Sequence, residues 1–192
     1  MSLEIVHYNH PVLRKKGEKI TAFETELESL SEQMIEAMHA ARGIGLAAQQ
    51  VGRPLQLFVA DLRGVEADFD WSLDGVKTPL ELIMPMVFAN PKLAVDRKAP
   101  TAAFEEGCLS FPEIRGEVVR AESVSAVFRD RHGLQHALQC TGLFARCLLH
   151  ETDHVNGILF IDRMEKTVRA AVDDAVKALA RQTRAGRAAA AP

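Results

Sequence analysis

His150, Glu151 and His154, in the run His150-Glu151-Thr152-Asp153-His154, are the residues of this chain best spaced for chemistry. On a helix, positions i and i+4 lie one turn apart on one face, so two imidazoles can reach a single metal ion. Glu151, between them, can take a proton from a water that the ion polarises. A solvent-facing polar turn is the alternative, but the flanks argue against it. Leu143, Phe144, Cys147, Leu148 and Leu149 precede the run, and Val155, Ile158, Leu159 and Phe160 follow it. Polar side chains inside such a block are costly unless something satisfies them.

A catalytic ion needs a third protein ligand and an open position. The long metalloprotease pattern places a further His six residues after the second, and Phe160 stands there instead. Cys147 shares the face of His150, but lies seven residues from His154, a rise of ~10 Å along a helix. Ligands to one ion must converge to about 2.3 Å from it, so Cys147 reads as core. Cys140 and Cys108 remain. Cys140 ends a strand-like run. Cys108 sits in Glu105-Glu106-Gly107-Cys108-Leu109-Ser110-Phe111-Pro112, where Gly107 permits a close backbone approach, although alone it reads as a buried strand cysteine. A zinc endopeptidase with a Glu or His ligand further downstream is the rival reading.

The elements that must position these residues follow from periodicity. Phe23, Leu27, Leu30, Met34, Met38 and Ala41 form one apolar helical face, with Thr21 and Glu24 fitting a capping box and Gly43 a stop. Leu55 to Leu62 reads as a strand, and residues 64–81 as an acidic surface loop or inserted hairpin carrying Trp71. Segments around 82–95 and 117–139 alternate as strands do; Glu117 to Arg129 is the clearest run and Arg131-His132-Gly133 a turn. A helix over Gly142 to Val155, stopped by Asn156-Gly157, carries the chemistry. Val168, Val172, Ala175 and Leu179 share the face of a C-terminal helix. The fold class expected is α+β, with antiparallel sheet packed around the central metal-binding helix and helices at both ends. One catalytic domain over residues 1–180 and a flexible tail over 181–192 complete the organisation.

The bulk properties set limits. The 192 residues are 47% hydrophobic and 26% charged, enough to bury one core. A net charge of -3 offers no basic surplus for nucleic acid. Cys108, Cys140 and Cys147 make no disulfide framework, and no apolar stretch is long enough for a signal peptide or a membrane span. These features read as a cytoplasmic protein. His7, His10, His39, His132 and His136 lack ligand spacing and read as surface or turn residues.

A third segment, Gly43-Ile44-Gly45-Leu46-Ala47-Ala48-Gln49-Gln50, follows the first helix; its small residues let a ligand backbone lie close. Taken in order, GIGLAAQQ, EGCLS and HETDH resemble the three motifs of the bacterial-type peptide deformylases, and the likeness covers roughly residues 3 to 165. The resemblance implies Cys108, His150 and His154 as metal ligands. It implies ferrous iron, with zinc, nickel or cobalt as substitutes. The reaction it implies is removal of the formyl group from the formyl-methionine terminus of nascent proteins, with Glu151 moving the proton and Gln50 and the Leu109 N–H holding the oxyanion. Ile44, Gly45, Phe104, Gly107, Arg115, Leu143 and Cys147, with His150, match the family's substrate-binding positions. Arg120 is expected to pair with Glu106. Arg146 stands where the family often has an apolar residue, at the pocket's rim. The family also makes docking of the basic C-terminal helix (Lys177, Arg181, Arg184, Arg187) on the ribosome an expectation.

Overall fold

The computed structural model describes residues 3–96 and 98–189. The helix α1 (Thr25–Ala40) is followed by the short strand β1 (Gly45–Ala47), then β2 (Leu57–Ala60), β3 (Trp71–Leu73) and a single helical turn α2 (Leu80–Ile83). Strands β4 (Met86–Ala94), β5 (Thr101–Cys108), β6 (Phe111–Ala121), β7 (Ser123–Arg129) and β8 (Gln135–Thr141) lead into the helix α3 (Gly142–Val155), and α4 (Lys166–Ala171) and α5 (Asp173–Ala189) close the chain. Six strands form one antiparallel sheet in the order β1-β2-β4-β7-β8-β3, and β5 pairs β6 in a separate hairpin. The α+β architecture with antiparallel sheets around a central helix is therefore the one expected.

The run Leu57-Phe58-Val59-Ala60 is apolar at every position because both faces of the sheet are covered. Phe58 and Ala60, with Phe88 and Phe128, pack with Phe144, Cys147 and Leu148 of α3. Leu57 and Val59 pack with Leu27, Met34 and Met38 of α1 on the other face. A third cluster joins Phe111 and Val118 of the hairpin to Phe160, Val176 and Leu179. Each fully buried Leu or Phe in these layers contributes about 1.5–3 kcal/mol. Buried residues lie on all sides of α3, so it sits between the large sheet and the β5–β6 hairpin.

The C-terminal ends of α1 and α3 differ from each other in an instructive way. Beyond α3, Gly157 takes φ 73°, and the N–H groups of Gly157 and Ile158 bond the carbonyls of His154 and Asp153. A side chain at Gly157 would also meet the Arg14 carbonyl at 2.6 Å. The expected Asn156-Gly157 stop is thus present. Beyond α1 the same bond pattern is closed by Arg42, at φ 56°, and not by Gly43. Gly43 follows one residue later, where a Cβ would meet Leu109 Cδ1 at 2.7 Å and the leucine side chain would have to shift. The expected Thr21–Glu24 capping box is absent: Glu24 is itself the N-cap, with no side-chain cap bond.

Three further expectations are corrected. Glu117 to Arg129 is two strands, broken at Glu122, whose backbone bonds Pro100 and Gly142 instead of a partner strand. On the C-terminal helices Val176, not Ala175, joins the buried face with Val168, Val172 and Leu179. Residues 181–189, within the segment expected to be a flexible tail, continue α5 as helix; residues 190–192 lie outside the described residues. The acidic segment extends the sheet through β3 on β8.

Candidate active site

The donor atoms of Cys108, His150 and His154 all lie within 4.8 Å of one another. Two of them come from successive turns of α3, with ring centroids 5.0 Å apart. The third comes from the end of β5, where a register shift between Gly107 and Cys108 turns the hairpin and carries Cys108 Sγ to 3.2 Å from His154 Nε2. Cys140 and Cys147 do not join this group among the described residues. Both are buried thiols whose protonated form burial favours; Cys140 is pushed up to about 12. No residue downstream of His154 joins it among the described residues, so the structure does not support the endopeptidase ligand set.

One thiol and two imidazoles are a donor set that suits zinc, iron, cobalt or nickel. The surroundings fit a cation too. Glu106 Oε2 accepts from His150 Nδ1 at 3.0 Å, which fixes that ring and leaves Nε2 for another partner. Burial opposes a charge on His150, but its bonds to Cys108 and Glu106 outweigh that and raise it to about 10. His154 is held well below the ordinary value, first by burial and then by the charges of His150 and Arg120.

Glu151 is 4% exposed and its Oε2 has no partner in the protein. Burial pushes its carboxyl up to about 7, against the pull of His150 and Arg120. It lies against the backbone of β1, where a Cβ at Gly45 would stand 2.4 Å from Glu151 Oε1. That explains the second glycine of Gly43-Ile44-Gly45 by close approach. Gln50 is equally buried. Its Oε1 accepts from the Ala47 N–H at 2.8 Å, so its amide nitrogen faces Ser110 Oγ at 3.4 Å and Cys108 Sγ at 3.5 Å.

These groups open on a cleft of about 610 Å³ between β1 and the β5–β6 hairpin. Ile44, Gly45, Phe104, Gly107, Arg115, Leu143 and Cys147, all expected to bind substrate, line it, and so do Gln50, Leu109, His150 and Glu151. Arg115 is exposed and its Nε donates to Glu105 at 2.7 Å. No residue of the acidic segment 64–81 lines this cleft.

The expected Glu106–Arg120 pair is one edge of a larger buried network. Arg120 donates to Glu106 at 2.6 and 3.0 Å and to Asp153 at 2.8 Å; Asp153 also accepts from Arg163 at 2.6 Å. Arg146 Nη1 donates to Glu106 Oε1 at 2.8 Å and to the Val118 carbonyl at 2.9 Å. Burial alone would raise the Glu106 carboxyl, but the bonds from His150 and Arg120 hold it at about 2. Sequence reasoning missed Ser110, Asp153 and the buried role of Arg146. The signal for the last two was charge on the apolar side of the α3 helix.

A family model described as polypeptide deformylase matches residues 2–170. A peptide deformylase of Opitutus terrae is 60% identical over 185 residues, 96% of each chain. One from Salinibacter ruber is 42% identical, covering 84% of this chain and 80% of that one. The solved structure of a peptide deformylase from Legionella pneumophila superposes with a TM-score of 0.78 at 32% identity, over 96% of this chain and 98% of that chain. With its sequence matched almost end to end and its fold shared with a solved relative, this chain belongs to the polypeptide deformylase family.

Proposed function

We propose that this chain is a metal-dependent hydrolase that removes the formyl group from the N-terminal formyl-methionine of newly made proteins, releasing formate. The observation that carries the reading is the meeting of three donor atoms, two of them from residues that line one cleft together with Glu151, whose buried Oε2 has no partner in the protein. Cys108 Sγ and the Nε2 atoms of His150 and His154 would hold a divalent cation, ferrous iron first, with zinc, nickel or cobalt as substitutes. Bound there, the cation would polarise a water and the formyl oxygen.

Glu151 takes the proton of the water as it attacks the formyl carbon, and a carboxyl near 7 is suited to both accepting and returning it. Gln50 Nε2, aimed by the Ala47 N–H, and the backbone N–H of Leu109 donate to the oxygen as its charge develops. Glu151 then gives its proton to the leaving amine as the C–N bond breaks. Ile44, Phe104, Leu143 and Cys147 take the methionine side chain. The strand edges at Ile44–Gly45 and Gly107 take the peptide backbone, with Arg115 at the substrate side of the mouth. Three free thiols suit the reducing cytoplasm of a bacterial cell. No helix among the described residues is long and apolar enough to cross a membrane. The exposed cations Lys177, Arg181, Arg184 and Arg187 of α5 suit docking by charge on the ribosome near the peptide exit.

The test is formate release from formyl-Met-Ala-Ser by anaerobic, ferrous-loaded protein, since oxygen attacks a ligating thiolate. Release with one free amine per formate supports the reading. Metal-loaded protein that releases none contradicts it.

A further inference from the structure

Arg146 is a charged residue in an apolar helix, 9% exposed, and it lines the substrate cleft beside Phe104, Leu143 and Cys147. Its guanidinium is fixed from three directions. Nη1 donates to Glu106 and to the Val118 carbonyl, and Nη2 donates to the Ala102 carbonyl at 2.8 Å. The Phe104 ring lies over it, 5.5 Å from Cζ to the ring centroid. A guanidinium has five N–H groups, and three bonds account for three of them. The side chain is 11% exposed, and the residue lines the cleft. Beside the apolar side chains of Phe104, Leu143 and Cys147, the cleft wall therefore carries a rigid cation with donor capacity left over.

A pocket that presents a donor discriminates against a ligand with no acceptor to meet it, because the donor is stripped of water and left unpaired. We propose that Arg146 is a specificity-determining residue: it makes the pocket prefer a first side chain with an acceptor at its δ position, the thioether of methionine, over an all-carbon chain of the same shape. The inference rests on the deformylase reading and deepens it. Sulfur is a weak acceptor, so the preference is modest, about three- to tenfold in kcat/KM. The sulfoxide oxygen is a stronger acceptor at the same place. It should be tolerated by the wild type and poorly by a pocket that lacks the cation.

The experiment compares formyl-Met-Ala-Ser, formyl-norleucine-Ala-Ser and the methionine sulfoxide peptide in ferrous-loaded wild type and Arg146→Leu, with metal content measured for each. The expected result is a methionine-to-norleucine ratio of about three to ten in the wild type that falls towards one in the variant, with a larger loss for the sulfoxide peptide. A purely structural role would lower kcat/KM for all three peptides by one factor and leave the ratios alone, and that result overturns the proposal. Should the leucine variant not fold, the wild type still decides: a ratio of one there overturns it, and a preference for methionine that Arg146→Lys retains supports it. Failure to release formate from any peptide would instead count against the deformylase reading.

Discussion

Glu106 and Glu151 are two carboxylates of almost equal burial, 5% and 4% exposed. Glu106 is met by two guanidiniums and an imidazole and is held at about 2, a permanent anion. Glu151 has an oxygen with no partner and is pushed up to about 7, a carboxyl free to change its charge. Neither burial nor residue type separates them. The difference lies in what each faces: Glu106 looks at the Arg120–Arg146–Asp153 network, and Glu151 looks at the bare backbone of Gly45. A fixed anion orients a ring, and an unpaired carboxyl moves a proton.

The contrast can be broken from either side. Glu106→Gln leaves two buried guanidiniums short of their anion. It should lower stability by about 3–5 kcal/mol in denaturant unfolding and weaken metal affinity about 10- to 100-fold, because the His150 ring loses its anchor. A variant of unchanged stability would deny the network its structural role. Gly45→Ala drives a methyl group into Glu151 and displaces its carboxylate. It should lower kcat about a hundredfold while leaving metal content intact, as steady-state kinetics beside metal analysis would reveal.

Acid provides the gentlest probe. The folded pKa of Glu106 lies below its ordinary value of 4.5, so the ionised network stabilises the fold above that pH and loses its contribution as pH falls towards 2. Between pH 5.5 and 3 the wild type should lose about 2 kcal/mol through this group, a loss that Glu106→Gln does not show. Equal acid sensitivity of the two proteins would place the titrating group elsewhere.

Much of this contrast was legible in the sequence, and the part that was not has a physical reason. The spacing of His150, Glu151 and His154 fixes their geometry on any helix, and Asn156-Gly157 marks the end of that helix by backbone chemistry alone. The partner on another segment was different. Nothing local distinguishes Cys108 from Cys140, since convergence on one point is decided by the β5–β6 turn, and only the three motifs read together selected it. The buried bonding of Arg146 and Asp153 was not legible, because the acceptors of Arg146 come from β5 and β6 and the donors to Asp153 from β6 and from beyond α3. The end of α1 misled for the opposite reason: a glycine stood one residue from the stop, while Arg42 took the left-handed conformation that closes the helix.

The central claim is that one helical turn holds the ion with its histidines and moves the proton with the glutamate between them. Glu151→Gln tests it most directly, assayed for metal content and for formate from formyl-Met-Ala-Ser under anaerobic conditions. The account predicts wild-type iron content with turnover reduced about a thousandfold or more. Full activity in that variant, with iron bound, would contradict it.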